Sequence, residues 1–245
     1  MFALFFLAYY YNQVAQRVQV NAYISAMLVE KFLSIITQKE CLVCNKLGEI
    51  VCPDCWQTEF GLRTPACFMC NELSNGGKTC PRCRRKSSLN GVTTNYRLVG
   101  PMQELIYGLK YYGNREIASF VAQHVVTGLP NIKFDYITYV PATGKSQRKR
   151  GYNQAELLAV QVSKQTGLLL KPTLLRLHHT DQIGLGRAQR FESVRDNFIS
   201  RGKSDAKNIL IVDDVITTGA TLSECANTLK ASGAKKIWGL TIAKK

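Results

Sequence analysis

The chain has 245 residues, enough to bury a full core and to hold one large domain or a medium domain with a small satellite. Its 32 Lys and Arg against 17 Asp and Glu leave a formal charge of +15, which makes a polyanionic partner the expectation, with solubility alone as the plainer reading. No segment reaches the roughly 18 apolar residues of a membrane span.

The start, MFALFFLAYYYNQ, is apolar like an export signal, yet no Lys or Arg precedes the run and no small-residue cleavage site follows it. Met27 opens MLVEKFLSIITQKE, whose apolar residues suit a short helix. The expectation is that translation begins at Met27 and that residues 1–26 are an upstream extension. Residues 1–40 are read as that extension plus the helix.

Residues 41–90 hold four Cys-x-x-Cys pairs: Cys41/Cys44, Cys52/Cys55, Cys67/Cys70 and Cys80/Cys83. Two thiolates on one tight knuckle supply half of a tetrahedral shell, so eight sulfurs predict two zinc ions in a double ribbon. A disulfide framework needs an oxidising compartment, for which the chain offers no export signal. An iron–sulfur site is the weaker alternative, because two complete four-cysteine sets in hairpins favour zinc. Neither set keeps the open position that catalysis requires, so both zincs are expected to be structural. Pairing neighbours in sequence makes the shorter loops and costs less closure entropy than a cross-brace. Cys225, alone in a helical pattern, reads as a small packing residue.

From residue 91 to 245 strand and helix patterns alternate. VTTNYRLV reads as a strand, PMQELIYGLKYYG and REIASFVAQHVVTG as helices, and FDYITYV as a strand. AELLAVQVSKQTG is a helix, ILIVDD a strand, GATLSECANTLKASG a helix ended by Gly233, and IWGLTIA the last strand. Such alternation argues for an α/β domain with a mostly parallel sheet, whose ligands bind beyond the carboxyl ends of the strands.

The stretch ILIVDDVITTGAT, residues 209–221, concentrates the chemistry. Asp213 and Asp214 follow a buried strand, and adjacent carboxylates suit a vicinal diol. Thr217, Thr218, Gly219, Ala220 and Thr221 then turn into a helix, where free amides, hydroxyls and the positive helix end suit a phosphate dianion. A diol beside a phosphate is a ribose 5-phosphate. The stretch resembles the PRPP-binding motif of type I phosphoribosyltransferases. That resemblance implies a parallel sheet with helices on both faces, Asp213 and Asp214 on the ribose hydroxyls, Thr217 to Thr221 around the 5-phosphate, and Mg²⁺ held largely through PRPP itself.

A second loop, VPATGKSQRKRGYNQAE from Val140, contains Gly144-Lys145-Ser146, the tail of a Walker A loop. The full pattern needs a glycine where this chain has Tyr139, and Pro141 removes one cradle amide. Following a strand, the loop instead suits a pyrophosphate site with Lys145, Arg148 and Arg150. Arg148 to Gln154, the four cysteine pairs, LIYGLKYYG at 105–113 and the Q-x-x-L-x-R-x-x-R pattern from Gln182 to Arg190 together resemble the ComF/GntX family over about residues 27–245. Its usual basic run after the proline is here Ala142-Thr143-Gly144-Lys145.

The resemblance implies a cytoplasmic role in natural transformation, handling incoming single-stranded DNA, with the ComFA helicase and DprA as partners. The alternative is an active phosphoribosyltransferase of nucleotide salvage or biosynthesis with an unidentified acceptor, in which Asp213 and Asp214 position the ring. Basic clusters at Arg82/Arg84/Arg85/Lys86, at Lys145–Arg150 and at Arg187/Arg190/Arg195, with Tyr107, Tyr111, Tyr112 and Tyr152, suit single strands: bases stack while phosphates pair with cations.

Overall fold

A computed structural model describes residues 39–177 and 187–245. The expected helix after Met27 and the core of the Gln182–Arg190 pattern lie outside the described residues. The chain divides into two compact units, 1–52 and 53–245.

In the smaller unit, residues 39–52 form a knuckle. Glu40 bridges Leu47, the Cys41 amide donates to the Lys46 carbonyl (2.9 Å), and Asn45 takes a left-handed φ of 58° that closes the turn.

The larger unit begins with α1 (Pro53–Glu59) and a cysteine hairpin ending in the short α2 (Pro81–Arg84). Then come β1 (Gly91–Arg97), α3 (Pro101–Tyr111), α4 (Arg115–Val125), β2 (Tyr136–Tyr139), α5 (Gly144–Arg150) and α6 (Gln154–Thr166). After these lie β3 (Leu174–Arg176), α7 (Arg187–Ser193), β4 (Phe198–Ser200), β5 (Asn208–Ile216), α8 (Ala220–Ala231) and β6 (Lys236–Lys244).

Strands β1-β6-β5-β2, in that order, form a sheet whose pairs are all parallel, while β3 and β4 form a separate antiparallel pair. All four residues Ile209 to Val212 are fully buried, so both faces of β5 are covered, as a parallel sheet requires. Ile209 and Ile211 share a core with Leu222, Cys225, Ala226 and Leu229 of α8, and α6 packs on β2 and β5. The expected parallel α/β architecture is therefore present, and Cys225 is a packed core residue.

The division into units differs from the expected boundary at residue 90. Cys67, Phe68, Met69, Cys83 and Leu89 belong to the same buried cluster as β5 and α8. The second cysteine hairpin supplies large apolar side chains between its ligands, and these pack into the α/β core instead of closing a core of their own. Gly91, at the start of β1, has no room for a Cβ because the Trp238 ring lies against it.

Candidate phosphate-loop site and metal centres

The eight paired cysteines form two groups, Cys41/Cys44/Cys52/Cys55 and Cys67/Cys70/Cys80/Cys83, each with its sulfurs within 4.8 Å of one another. This is the sequential grouping. The Cys44 and Cys52 sulfurs are 3.7 Å apart, and those of Cys70 and Cys80 are 3.6 Å apart. A tetrahedron of sulfurs about 2.3 Å from a zinc has edges of about 3.8 Å, so the donor sets fit that ion in size and chemistry. At Cys67 burial works against ionisation, but amides of Cys70, Cys80 and Met69 outweigh it and bring the thiol down to about 6. Burial, helped by the neighbouring thiols, pushes Cys83 up to about 12.

β5 pairs with β2 only as far as Val212, opposite Tyr139, but continues beside β6 to Ile216. Asp213 and Asp214 therefore lie inside the strand, at the point where one of its edges opens. Successive residues of a strand face opposite ways, and the two acids have different neighbours. Asp214 Oδ2 pairs with Lys110 Nζ of α3 at 3.2 Å. Asp213 lies where its charge acts on Arg176 and Cys225. Burial pushes the Asp213 carboxyl well above the usual carboxylate range, Asp214's charge adds to this, and Lys110 opposes it. Each acid also accepts from the next amide: Asp214 N–H to Asp213 Oδ1 (2.9 Å) and Val215 N–H to Asp214 Oδ1 (2.7 Å).

The chain then bends through Thr217 and Thr218 to Gly219, whose φ of 82° starts α8. Thr218 Oγ1 accepts from the Ala220 amide at 3.3 Å, while the first-turn amides of Thr221 and Leu222 have no intrahelical acceptor. A Cβ on Gly219 would meet the Phe68 ring at 2.5 Å, so the cysteine hairpin braces this loop from beneath. Asp213, Thr217, Gly219, Ala220 and Thr221 line a hollow of only about 20 Å³. That is room for about one water, so a phosphate group requires the loop to open.

The second loop becomes α5, with Thr143 as its cap accepting from the Ser146 amide at 3.0 Å. Gly144, Lys145 and Ser146 form an ordinary first helical turn. Arg148 and Arg150 lie in the last turn, and the Arg150 guanidinium sits 5.3 Å from the Tyr111 ring centre. Tyr107, Tyr111 and Tyr112 are 50%, 50% and 74% exposed and make ring contacts at 4.4 and 6.0 Å. The cluster around Arg84 is elsewhere. Arg84 lines a cavity with Asn208 and Lys236, the first residues of β5 and β6, about 25 Å of strand from the phosphate loop. This cluster therefore does not lie beside the phosphate loop. Arg195 pairs with Glu192 at 3.4 Å.

The chain is 29% identical over 195 residues to competence protein F of Haemophilus influenzae, covering 73% of this chain and 85% of that protein. It is 24% identical to competence protein ComFC of Streptococcus pneumoniae, covering 79% and 80%. Along most of its length the chain is similar to competence proteins of the ComF type. A further relative is the DNA utilization protein YhgH of Escherichia coli, 26% identical over 82% of this chain and 88% of that one. No protein-family model matches the chain. Among solved structures, adenine phosphoribosyltransferase of Thermoanaerobacter pseudethanolicus aligns at 13% identity and TM-score 0.35 over 55% of this chain and 84% of that one. Glutamine PRPP amidotransferase of B. subtilis aligns at 17% and 0.35 over 56% and 30%. At that score the likeness is partial. Among the described residues, no helix is long and apolar enough to cross a membrane.

Proposed function

We propose that this protein is a cytoplasmic competence protein that handles incoming single-stranded DNA and binds a phosphoribosyl ligand of the PRPP type at the β5–α8 loop. The reading rests above all on the run from Asp213 to Thr221, in which an acid-bearing strand edge leads directly into a glycine-started helix whose Thr221 and Leu222 amides have no intrahelical acceptor. With the sugar across the edge that β2 leaves open, Asp213 and Asp214 meet its two hydroxyls from opposite sides, and Thr217 to Thr221 hold the 5-phosphate. Mg²⁺ arrives with the pyrophosphate, whose charge Lys145, Arg148 and Arg150 balance. Zinc in the two cysteine groups is structural.

The DNA reading is supported by the exposed Tyr107, Tyr111 and Tyr112 beside Arg150, a combination that stacks bases and pairs phosphates. A DNA helicase such as ComFA and the DNA-processing protein DprA are the partners that the family implies.

Isothermal titration with PRPP and Mg²⁺ tests the first part: heat of binding is expected in wild type, with a loss of at least roughly tenfold in affinity in Asp213→Asn/Asp214→Asn, equivalent to about 1.4 kcal/mol. Absence of binding by wild type, or equal binding by the variant, removes the phosphoribosyl reading. A labelled oligothymidylate tests the second part, since binding through phosphates weakens steeply between about 50 and 200 mM salt.

A further inference from the structure

The carboxyl end of the sheet carries a second charged region that includes none of the expected basic clusters. A cleft of about 660 Å³ opens beyond β1 and β6, a volume typical of small-molecule sites. Arg63, Arg97, Lys244 and Lys245 line it, with Leu73 and Val99 beside them, and no Asp or Glu is among its lining residues.

The fold assembles these cations. Parallel pairing sets Arg97 of β1 opposite Lys244 of β6, an arrangement of like charges that costs energy unless an anion joins them. Lys244 is nearly buried, and its ammonium donates to the Phe68 carbonyl and to Asn71 Oδ1 (2.6 Å). The same Asn71 oxygen accepts from Arg63 Nη2 at 3.0 Å. Asn71 directly follows Cys70 in a left-handed conformation, φ 63°, so the second cysteine hairpin forms one wall. Arg63 Nη1 is shielded from solvent without an acceptor among the described residues. A guanidinium nitrogen shielded from water and short of an acceptor is costly, and an arriving anion supplies what it lacks. Leu73 and Val99 are 74% and 60% exposed, leaving aliphatic surface next to the charges.

Anionic oxygens and a flat, partly apolar body occur together in a nucleoside phosphate. We propose that this cleft binds one, with the phosphate against Arg63, Arg97 and Lys245 and the base over Leu73 and Val99. The nucleotide is either free or a unit of a single strand, and only the strand source rests on the DNA reading above. The cleft adjoins the phosphate loop without sharing its residues: Lys244 pairs with Ile216, whose carbonyl accepts from the Lys245 amide at 3.1 Å.

The test compares wild type with Arg97→Glu/Lys245→Glu, which changes two exposed side chains and leaves Arg63, Asn71 and Lys244 in place. The probes are deoxythymidine monophosphate, by isothermal titration, and a fluorescent oligothymidylate of about twelve residues, by anisotropy. The expected result is at least a tenfold loss of affinity in the double variant for whichever probe wild type binds, with its melting temperature and PRPP binding retained. Binding of the mononucleotide identifies the free source, and binding of the oligomer alone identifies the strand. The proposal is overturned if wild type binds neither probe or if the double variant matches wild type. Asp213→Asn/Asp214→Asn, which lies outside the cleft, is expected to bind both probes as wild type does, so failure of the phosphoribosyl reading is seen separately.

Discussion

The two four-cysteine groups share ligand chemistry, pair spacing and sulfur geometry, yet they sit in different surroundings. Near the first, Leu42 and Leu47 are 46% and 56% exposed. Within the second hairpin, Phe68 is fully buried and Met69 nearly so, in one core with β5 and α8. Identical thiol chemistry therefore carries unequal shares of the fold, and the difference arises from the residues between the cysteines.

The largest effect expected from this difference is on stability. Cys67→Ser/Cys70→Ser should lower the melting temperature of the larger unit by roughly 6–20 °C, since displaced core side chains cost roughly 3–5 kcal/mol and each kcal/mol shifts a unit of this size by about 2–4 °C. Cys41→Ser/Cys44→Ser should release as much metal but shift that transition by less than about 3 °C. Calorimetry with metal analysis of both variants checks this, and equal shifts would break the comparison.

Next in size is ligand binding. Because Phe68 lies against Gly219, PRPP affinity should fall at least roughly fivefold, about 1 kcal/mol, in the second-hairpin variant and stay within twofold of wild type in the first. Titrations run well below both melting temperatures would show it. Loss in the first variant alone would reverse the assignment.

The smallest expected effect separates the loop's own strain from its support. Burial and Asp214 raise the Asp213 carboxyl above its ordinary 3.8, so the folded state holds this proton more tightly than the unfolded chain. Its stability contribution is present below about pH 4 and is lost as pH rises through the folded value. Asp213→Asn should therefore be more stable than wild type at pH 7, with the gain vanishing near pH 4. Urea melts across that range measure it, and a gain independent of pH would contradict the cause given.

The metal groups and the β5–α8 loop were legible in sequence because their chemistry is written in local spacing. The helices and long strands were legible through their periodicity. Strands β3 and β4 have three residues each, too few to show a period, and α5 (GKSQRKR) has no apolar stripe. A change of composition at 90 says nothing about where Phe68 and Leu89 pack, so their place in the core with β5 and α8 was not legible. The cationic cleft left no local signal, since Arg63, Arg97 and Lys244 meet only when β1 pairs with β6. The run Arg82–Lys86 shows the converse: contiguous charge does not say which end of the sheet it reaches.

A carboxylate offers about four acceptor positions. The Asp214 amide takes one on Asp213; on Asp214, the Val215 amide and Lys110 take one each. These internal bonds hold both side chains still and leave lone pairs on each. A ligand hydroxyl can dock without breaking any of them, so most of the rotational entropy of the two acids is spent during folding and does not count against affinity when the ligand arrives.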